Sequence, residues 1–274
     1  MTMAVAAILC VALTGCPGGS AFRGTKTSDA DSFQMDYRVL NQREETSLSL
    51  AEPETDRQKL PDQSAAYEAY QFVLQQIAFE HVYPDGTDTG FDGACGFIED
   101  NHFALLDVNR DGADELIVRF VIAPMAGNIE SVYAYNQEEN RAERVLAVFP
   151  AVTYYDNGLV KEEWSHGSAL AGEGYWPYNL YRYQPDTGAY DLLAQVDMWS
   201  REAAGADHQG RPYPEDVDGE KAGTVFLLTR NAVTETVSRQ DYEAWLSGMM
   251  EKAQPVSVPY VSLNEENIRA VSPG

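Results

Sequence analysis

The chain has 274 residues, with 43 acidic against 19 basic side chains, a net charge of −24, and 44% apolar and 11% aromatic content. That acidity excludes a nucleic-acid partner, which needs clustered Lys and Arg, and adsorption to an anionic membrane through a basic patch. The apolar fraction is enough to build a core in one large domain or two small ones.

No charged residue precedes Arg23. Ala4 to Leu13 is an apolar run about half the ~20 residues that a membrane-spanning helix needs, and small residues follow it, as in a secretory signal. Leu13-Thr14-Gly15-Cys16 closely resembles the lipobox of bacterial lipoproteins, although Met1-Thr2-Met3 lacks the usual basic residue. The resemblance implies cleavage after Gly15, acylation of Cys16 and attachment to the lipid bilayer on the extracytoplasmic face of the cell membrane. Cys10 would leave with the signal, so only Cys95 remains as a thiol. One thiol makes no intramolecular disulfide, and Gly93-Ala94-Cys95-Gly96 has no neighbouring cation to generate a thiolate. His81, His102, His166 and His208 are scattered without ligand spacing.

Residues 16–62 are polar and mixed in charge, which predicts a tether without a core of its own. As a flexible coil it would reach roughly 35–40 Å. Its one apolar patch, FQMDYRVL, is left open as a strand or a short helix.

Residues 63–274 read as a single α+β domain. Tyr67, Tyr70, Val73, Leu74, Ile77 and Ala78 recur at helical spacing after Pro61 and the candidate N-cap Asp62. A Gly- and Asp-rich loop runs from Pro84 to Gly96. Short apolar runs follow: Phe103–Leu106, Glu115–Ile122, Ser131–Tyr135, Arg144–Phe149, Val152–Tyr155, Leu159–Trp164, Tyr178–Tyr183, Tyr190–Val196 and Thr224–Leu228. Asp156-Asn157-Gly158 and Pro185-Asp186-Thr187-Gly188 are hairpin signals. Short connections predict an antiparallel β-meander rather than βαβ units. Ser238 is expected to cap a helix carrying Tyr242, Trp245, Leu246, Met249 and Met250 on one face, and Asn264–Arg269 predicts a last short turn. The expected fold is therefore a meander core with N- and C-terminal flanking helices.

Residues 103–120, FALLDVNRDGADELIVRF, carry the chemistry. Asp107, Asn109 and Asp111 alternate, Gly112 allows a sharp turn, the Ala113 carbonyl can face inward and Glu115 closes the set. A hard cation such as calcium takes six to eight oxygens at about 2.4 Å from such a bent loop. An EF-hand is excluded, because its twelfth position needs Glu and here holds Val118 between strand-like flanks. Alternation turns Asp114 outward, so it is not counted as a ligand. The other reading is a metal-free hairpin whose Asp and Asn simply make the turn. Glu215-Asp216-Val217-Asp218-Gly219-Glu220 lacks the alternation and reads as a solvated turn rather than a second ion site.

The stretch from Asp107 to Leu116 resembles the calcium hairpins of integrin α-chain FG-GAP repeats and of the related VCBS repeats, in which D-x-[DN]-x-D-G-x-x-[DE]-L joins two strands. The resemblance implies a structural Ca2+ held by Asp107, Asn109, Asp111, Ala113 and Glu115. It is a single copy, so a domain with one such hairpin, at most partly propeller-like, is expected. From Ser64 to Arg269 the order AAYEAYQFVL, FALLDVNRDGADELIV, YYDNGLV, QDYEAWL, LNEENI is similar to a group of Gram-positive bacterial lipoproteins. That likeness implies fold and location and carries no activity.

Enzymatic parts are missing: there is no GxSxG elbow, HExxH helix or phosphate-cradling glycine loop. Ser165-His166-Gly167-Ser168 places Ser and His in one turn, where they seldom point at each other. Tyr154, Tyr155, Trp164, Tyr175, Trp176, Tyr178, Tyr181, Tyr183 and Tyr190 concentrate in one region. They favour cross-strand packing first and an interface or sugar-stacking surface second. The expectation is a monomeric, calcium-stabilised surface domain that binds a protein partner or other extracellular ligand. The alternative is a cell-wall glycan-binding or glycan-cleaving protein.

Overall fold

The computed structural model describes residues 63–122, 127–164, 168–172 and 174–272. The signal segment, Cys16, the tether with its FQMDYRVL patch, the candidate cap Asp62 and the Ser165-His166-Gly167 turn lie outside the described residues. Among the described residues no helix is long and apolar enough to cross a membrane.

Helix α1 spans Ser64–Gln75, a stretch free of Gly and Pro that buries Ala66, Tyr67, Tyr70, Val73 and Leu74 along one face. It runs on as one π-helical turn, Gln76–Glu80, and stops where His81 takes a left-handed conformation at φ 56°.

The rest is mainly β, in two antiparallel sheets. The first has five strands in the order β11-β1-β2-β3-β4. These are β1 His102–Leu106, β2 Glu115–Phe120, β3 Ile129–Asn136, β4 Arg141–Val148 and β11 Val261–Ser262. The second has six, in the order β10-β9-β8-β7-β6-β5. These are β5 Val152–Tyr154, β6 Leu159–Glu163, β7 Tyr178–Gln184, β8 Ala189–Ser200, β9 Thr224–Arg230 and β10 Val233–Ser238. Within each sheet consecutive strands pair as hairpins, as the short connections predict, and only β11 returns from a distance to lie beside β1.

The strand β10 is absent from the sequence-based expectation, for a physical reason. Val233-Thr-Glu-Thr-Val-Ser238 is an edge strand whose first three residues are exposed, so it has no apolar stripe to read. Its turn places Asn231 and Ala232 at φ 49° and 62°, a conformation usually signalled by Asn-Gly.

Among the described residues four apolar clusters fill the domain, the smallest of them Leu170, Trp199, Tyr213 and Val225. Tyr70, Leu74, Ile77, Leu116, Val118, Phe120, Leu263 and Ile268 join α1 and the C-terminal helix α3 (Glu265–Arg269) to one face of the first sheet. Val108, Ile117, Val132, Leu146, Tyr154 and Val160 lie between the two sheets. Strand β2 thus contributes to both clusters, which is why Leu116, Ile117 and Val118 are apolar at successive rather than alternate positions. Leu159, Leu180, Val196, Phe226 and Leu228 are covered by helix α2, Arg239–Met250, whose Tyr242 ring stacks on Phe226 at 3.8 Å. Ser238 caps α2 as expected, accepting the Asp241 amide at 3.1 Å.

A buried ionic cluster ties the sheets together. Glu130 on β3, fully buried, pairs with Arg119 on β2 and accepts the hydroxyls of Tyr154 at 2.8 Å and Tyr260 at 2.7 Å. Arg119 also lies over the Tyr260 ring at 4.1 Å. The segment carrying Tyr260 crosses both sheets as a strap: the Val256 amide donates to the Tyr154 carbonyl at 2.8 Å, and Gln254 and Asp156 exchange two further bonds.

Candidate metal centre

The loop between β1 and β2 begins and ends on the paired residues Leu106 and Glu115. Inside it the chain folds around its own carboxylates. Asp107 accepts the amides of Asp111 and Gly112, both at 3.1 Å, and Asp111 accepts the Ala113 amide at 2.9 Å. Arg110 and Gly112 adopt left-handed conformations at φ 67° and 94°. A Cβ on Gly112 would meet nothing within 4 Å, so the demand for glycine there is torsional rather than steric.

Glu115 sits at the bottom of the loop, 1% exposed. It accepts the Val108 amide at 3.1 Å and the Asn109 side-chain amide at 2.9 Å. Burial pushes its carboxyl up to about 8, and the charges of Asp111 and Asp107 add to the shift while backbone hydrogen bonds from Val108 and Asn109 offset part of it. Asn109 is the bridge. Its Nδ2 donates to Asp111 Oδ2 at 3.0 Å as well as to Glu115, and its Oδ1 accepts the Asp111 amide at 2.8 Å. The amide hydrogens therefore lie between two carboxylates.

The donor set fits a hard cation in chemistry, since Asp107, Asn109, Asp111 and Glu115 all offer oxygen and form one hydrogen-bonded cluster. As arranged, the carboxylates face amides rather than a common centre. Among the described residues no group of three or more His, Cys, Asp or Glu side chains stands ready to hold a metal.

Neighbouring elements hold the loop from outside. Asp114, expected to point outward, is clamped by α1: its carboxylate accepts the Tyr67 hydroxyl, its carbonyl accepts that of Tyr70 at 2.8 Å, and its amide donates to Gln63 at 3.1 Å. From the second sheet the Tyr183 hydroxyl reaches Asp111 Oδ2 at 3.1 Å; burial first, then the Asp111 charge, pushes that phenol up to about 12. Beside the loop lies a cleft of about 250 Å³ bordered by Tyr70, Asp111, Ala113, Glu115, Asn136 and Tyr183. Tyr67 and Tyr70 were legible as a helix face and Tyr183 as one of the aromatic group, but nothing in the sequence linked them or Gln63 to the loop, because each lies tens of residues from it.

The other candidates are dispersed. In the second acidic stretch Asp218 is buried and Asp216 and Glu220 are exposed. Asp218 accepts the Tyr213 hydroxyl and the amides of Ala222 and Gly223, at 3.1, 2.9 and 2.8 Å. Burial acts to raise its carboxyl, and the two amides, the Tyr213 hydroxyl and the Arg201 charge together outweigh it, so the net direction is down. That is a residue organising a turn. His208 bonds the Ser168 carbonyl at 2.6 Å, His81 packs on Phe91, and Cys95 is an exposed free thiol. The aromatic group divides: Tyr154 and Tyr178 are core residues, whereas Trp164 and Trp176 are exposed.

No family model matches the chain, and neither a curated protein nor a solved structure matches it.

Proposed function

We propose that the Asp107–Glu115 hairpin takes up a calcium ion, and that the domain so stabilised is a membrane-anchored, extracytoplasmic module that binds a partner or ligand. Glu115 carries this reading. It is a buried carboxylate beside Asp111 and Asp107, with a backbone amide and a side-chain amide as its donors, so a divalent ion would relieve the repulsion. Turning the Asn109 amide about its terminal torsion would exchange Nδ2 for Oδ1 and place a fourth side-chain oxygen among those of Asp107, Asp111 and Glu115. The Ala113 carbonyl is the fifth donor of this proposal. The bound ion supplies charge neutralisation and rigidity, and the chain supplies position: α1 fixes the loop through Asp114, and β7 reaches it through Tyr183.

Attachment through acylated Cys16 belongs to the same reading and is supported by Leu13-Thr14-Gly15-Cys16. So does the partly propeller-like character, supported by hairpin-connected antiparallel sheets with this motif in one of them.

Isothermal titration of calcium into the chain lacking its first 15 residues tests the centre. The expected result is a saturable heat for that chain and a flat trace for Asp111→Ala. Flat traces from both would remove the ion from the account. Labelled palmitate in cells tests the anchor, with incorporation expected to disappear in Cys16→Ala.

A further inference from the structure

Glu162, Asn179, Gln195, Thr229 and Thr234 are direct cross-strand partners, one from each of β6 to β10. Directly opposed residues share a face of the sheet, so the five form a polar row across it. The opposite face carries Tyr178, Leu180, Val196, Phe226 and Leu228 under α2. Hydrogen bonds link the row: Asn179 donates to Glu162 at 2.8 Å, Gln195 donates to Asn179 at 3.1 Å, and Thr229 and Thr234 join at 2.8 Å.

The row floors an open groove of about 390 Å³ bordered by Trp164, Asn179, Gln195, Asp197, Thr229 and Thr234. Glu162 is buried and saturated by the Phe149 amide, Asn179 and the Tyr181 hydroxyl, so its charge is spent internally. Gln195 is exposed and spends one amide hydrogen on Asn179, which leaves its carbonyl and second hydrogen for a ligand. At the β6 end Trp164 is 39% exposed and rigidly seated. Its amide donates to the Pro177 carbonyl at 2.8 Å, and its ring stacks on Phe149 at 5.9 Å and 21°.

These features select a ligand class. Strands lie about 4.8 Å apart, close to the advance of one pyranose in an extended β-1,4-linked glycan, so successive sugars would meet successive strands. An exposed indole suits the apolar face of a sugar ring, and side-chain amides suit acetamido groups. Among the described residues no basic side chain borders the groove, and Asp197 stands in it, which disfavours an acidic polymer. We propose that this groove binds a neutral, β-1,4-linked N-acetylhexosamine glycan, with Trp164 stacked on one sugar and Gln195, held in place by the buried Asn179, bonded to an acetamido group. The proposal rests on reading the domain as an extracytoplasmic binding module, but not on its calcium. Asn179 precedes Tyr183, the β7 residue that touches the loop, by four positions, about 13 Å along the strand.

The test is calorimetric titration of chitohexaose into the chain lacking its first 15 residues, in calcium and in chelator, with cellohexaose as the comparison. Expected is saturable binding to chitohexaose, weakened about tenfold or more in Trp164→Ala and in Gln195→Ala, with the circular dichroism of both variants unchanged. Asp111→Ala should retain chitohexaose binding. Absence of saturation at millimolar chitohexaose, undiminished affinity in both groove variants, or equal affinity for cellohexaose each overturns the proposal. Chitohexaose binding beside a flat calcium trace would defeat the calcium reading and leave this one standing; the reverse pattern would do the opposite.

Discussion

Glu115 puts a buried carboxyl group beneath the β1–β2 loop, and its shift makes a pH prediction with a definite sign. Its carboxyl is pushed from an ordinary 4.5 to about 8, so the folded chain without metal binds that proton more tightly than the unfolded chain does. The group's stabilisation is fully present below about pH 4.5 and is lost as pH rises towards 8. In chelator the melting temperature should therefore fall between pH 5 and 8. Glu115→Gln should flatten the fall, and saturating calcium should reverse it, because the ion takes the ionised form; differential scanning calorimetry at several pH values decides. The alternation of Asp107, Asn109, Asp111 and Glu115 was legible because it is local, a matter of counting along a few residues. The burial of Glu115 and the capture of Asp114 by Tyr67 were not, since Tyr67 stands 47 positions away from the residue it holds.

Between elements, helix α1 acts as the clamp of the hairpin. Tyr70→Phe deletes the hydroxyl bonded to the Asp114 carbonyl and should cost about 1 kcal/mol in urea unfolding, while weakening calcium affinity severalfold. Gly112→Ala isolates the torsional demand of the turn: with open space around the new Cβ, its cost should be only the left-handed penalty of about 1–2 kcal/mol. A larger loss by the same measurement would mean that the loop resists the change through contacts. At this scale the helices and most strands were readable from their periods, because each lays an apolar stripe on a core. Strand β10 was not, since an edge strand with its first three residues in solvent has no stripe to show.

For the molecule as a whole, the division into two sheets is what the sequence conceals. The break falls at Phe149–Ala151, between β4 and β5, a three-residue connection that lies within the two-to-four-residue range of the hairpin turns β3–β4, β5–β6, β7–β8 and β9–β10. What distinguishes it is tertiary: Glu130, Arg119, Tyr154 and Tyr260 meet there from four separate stretches of chain. Glu130→Ala would strand the Arg119 charge against the sheet interface and should cost about 3 kcal/mol, at the low end for a broken buried pair because the Arg119 side chain is 29% exposed. Urea unfolding should show a lowered midpoint, with a smaller loss for Glu130→Gln. The strap through Tyr260 also sets an order of assembly. Strands β5 to β10 pair with their sequence neighbours and α2 follows at once, so that half can close as soon as Met250 is available. The first sheet waits for Val261 to reach Phe103, and for the Ile268 carbonyl to accept Gln71 across 197 positions. A chain delivered amino end first thus completes the second sheet before the first, and α1 keeps an unsealed flank until Ile268 has arrived.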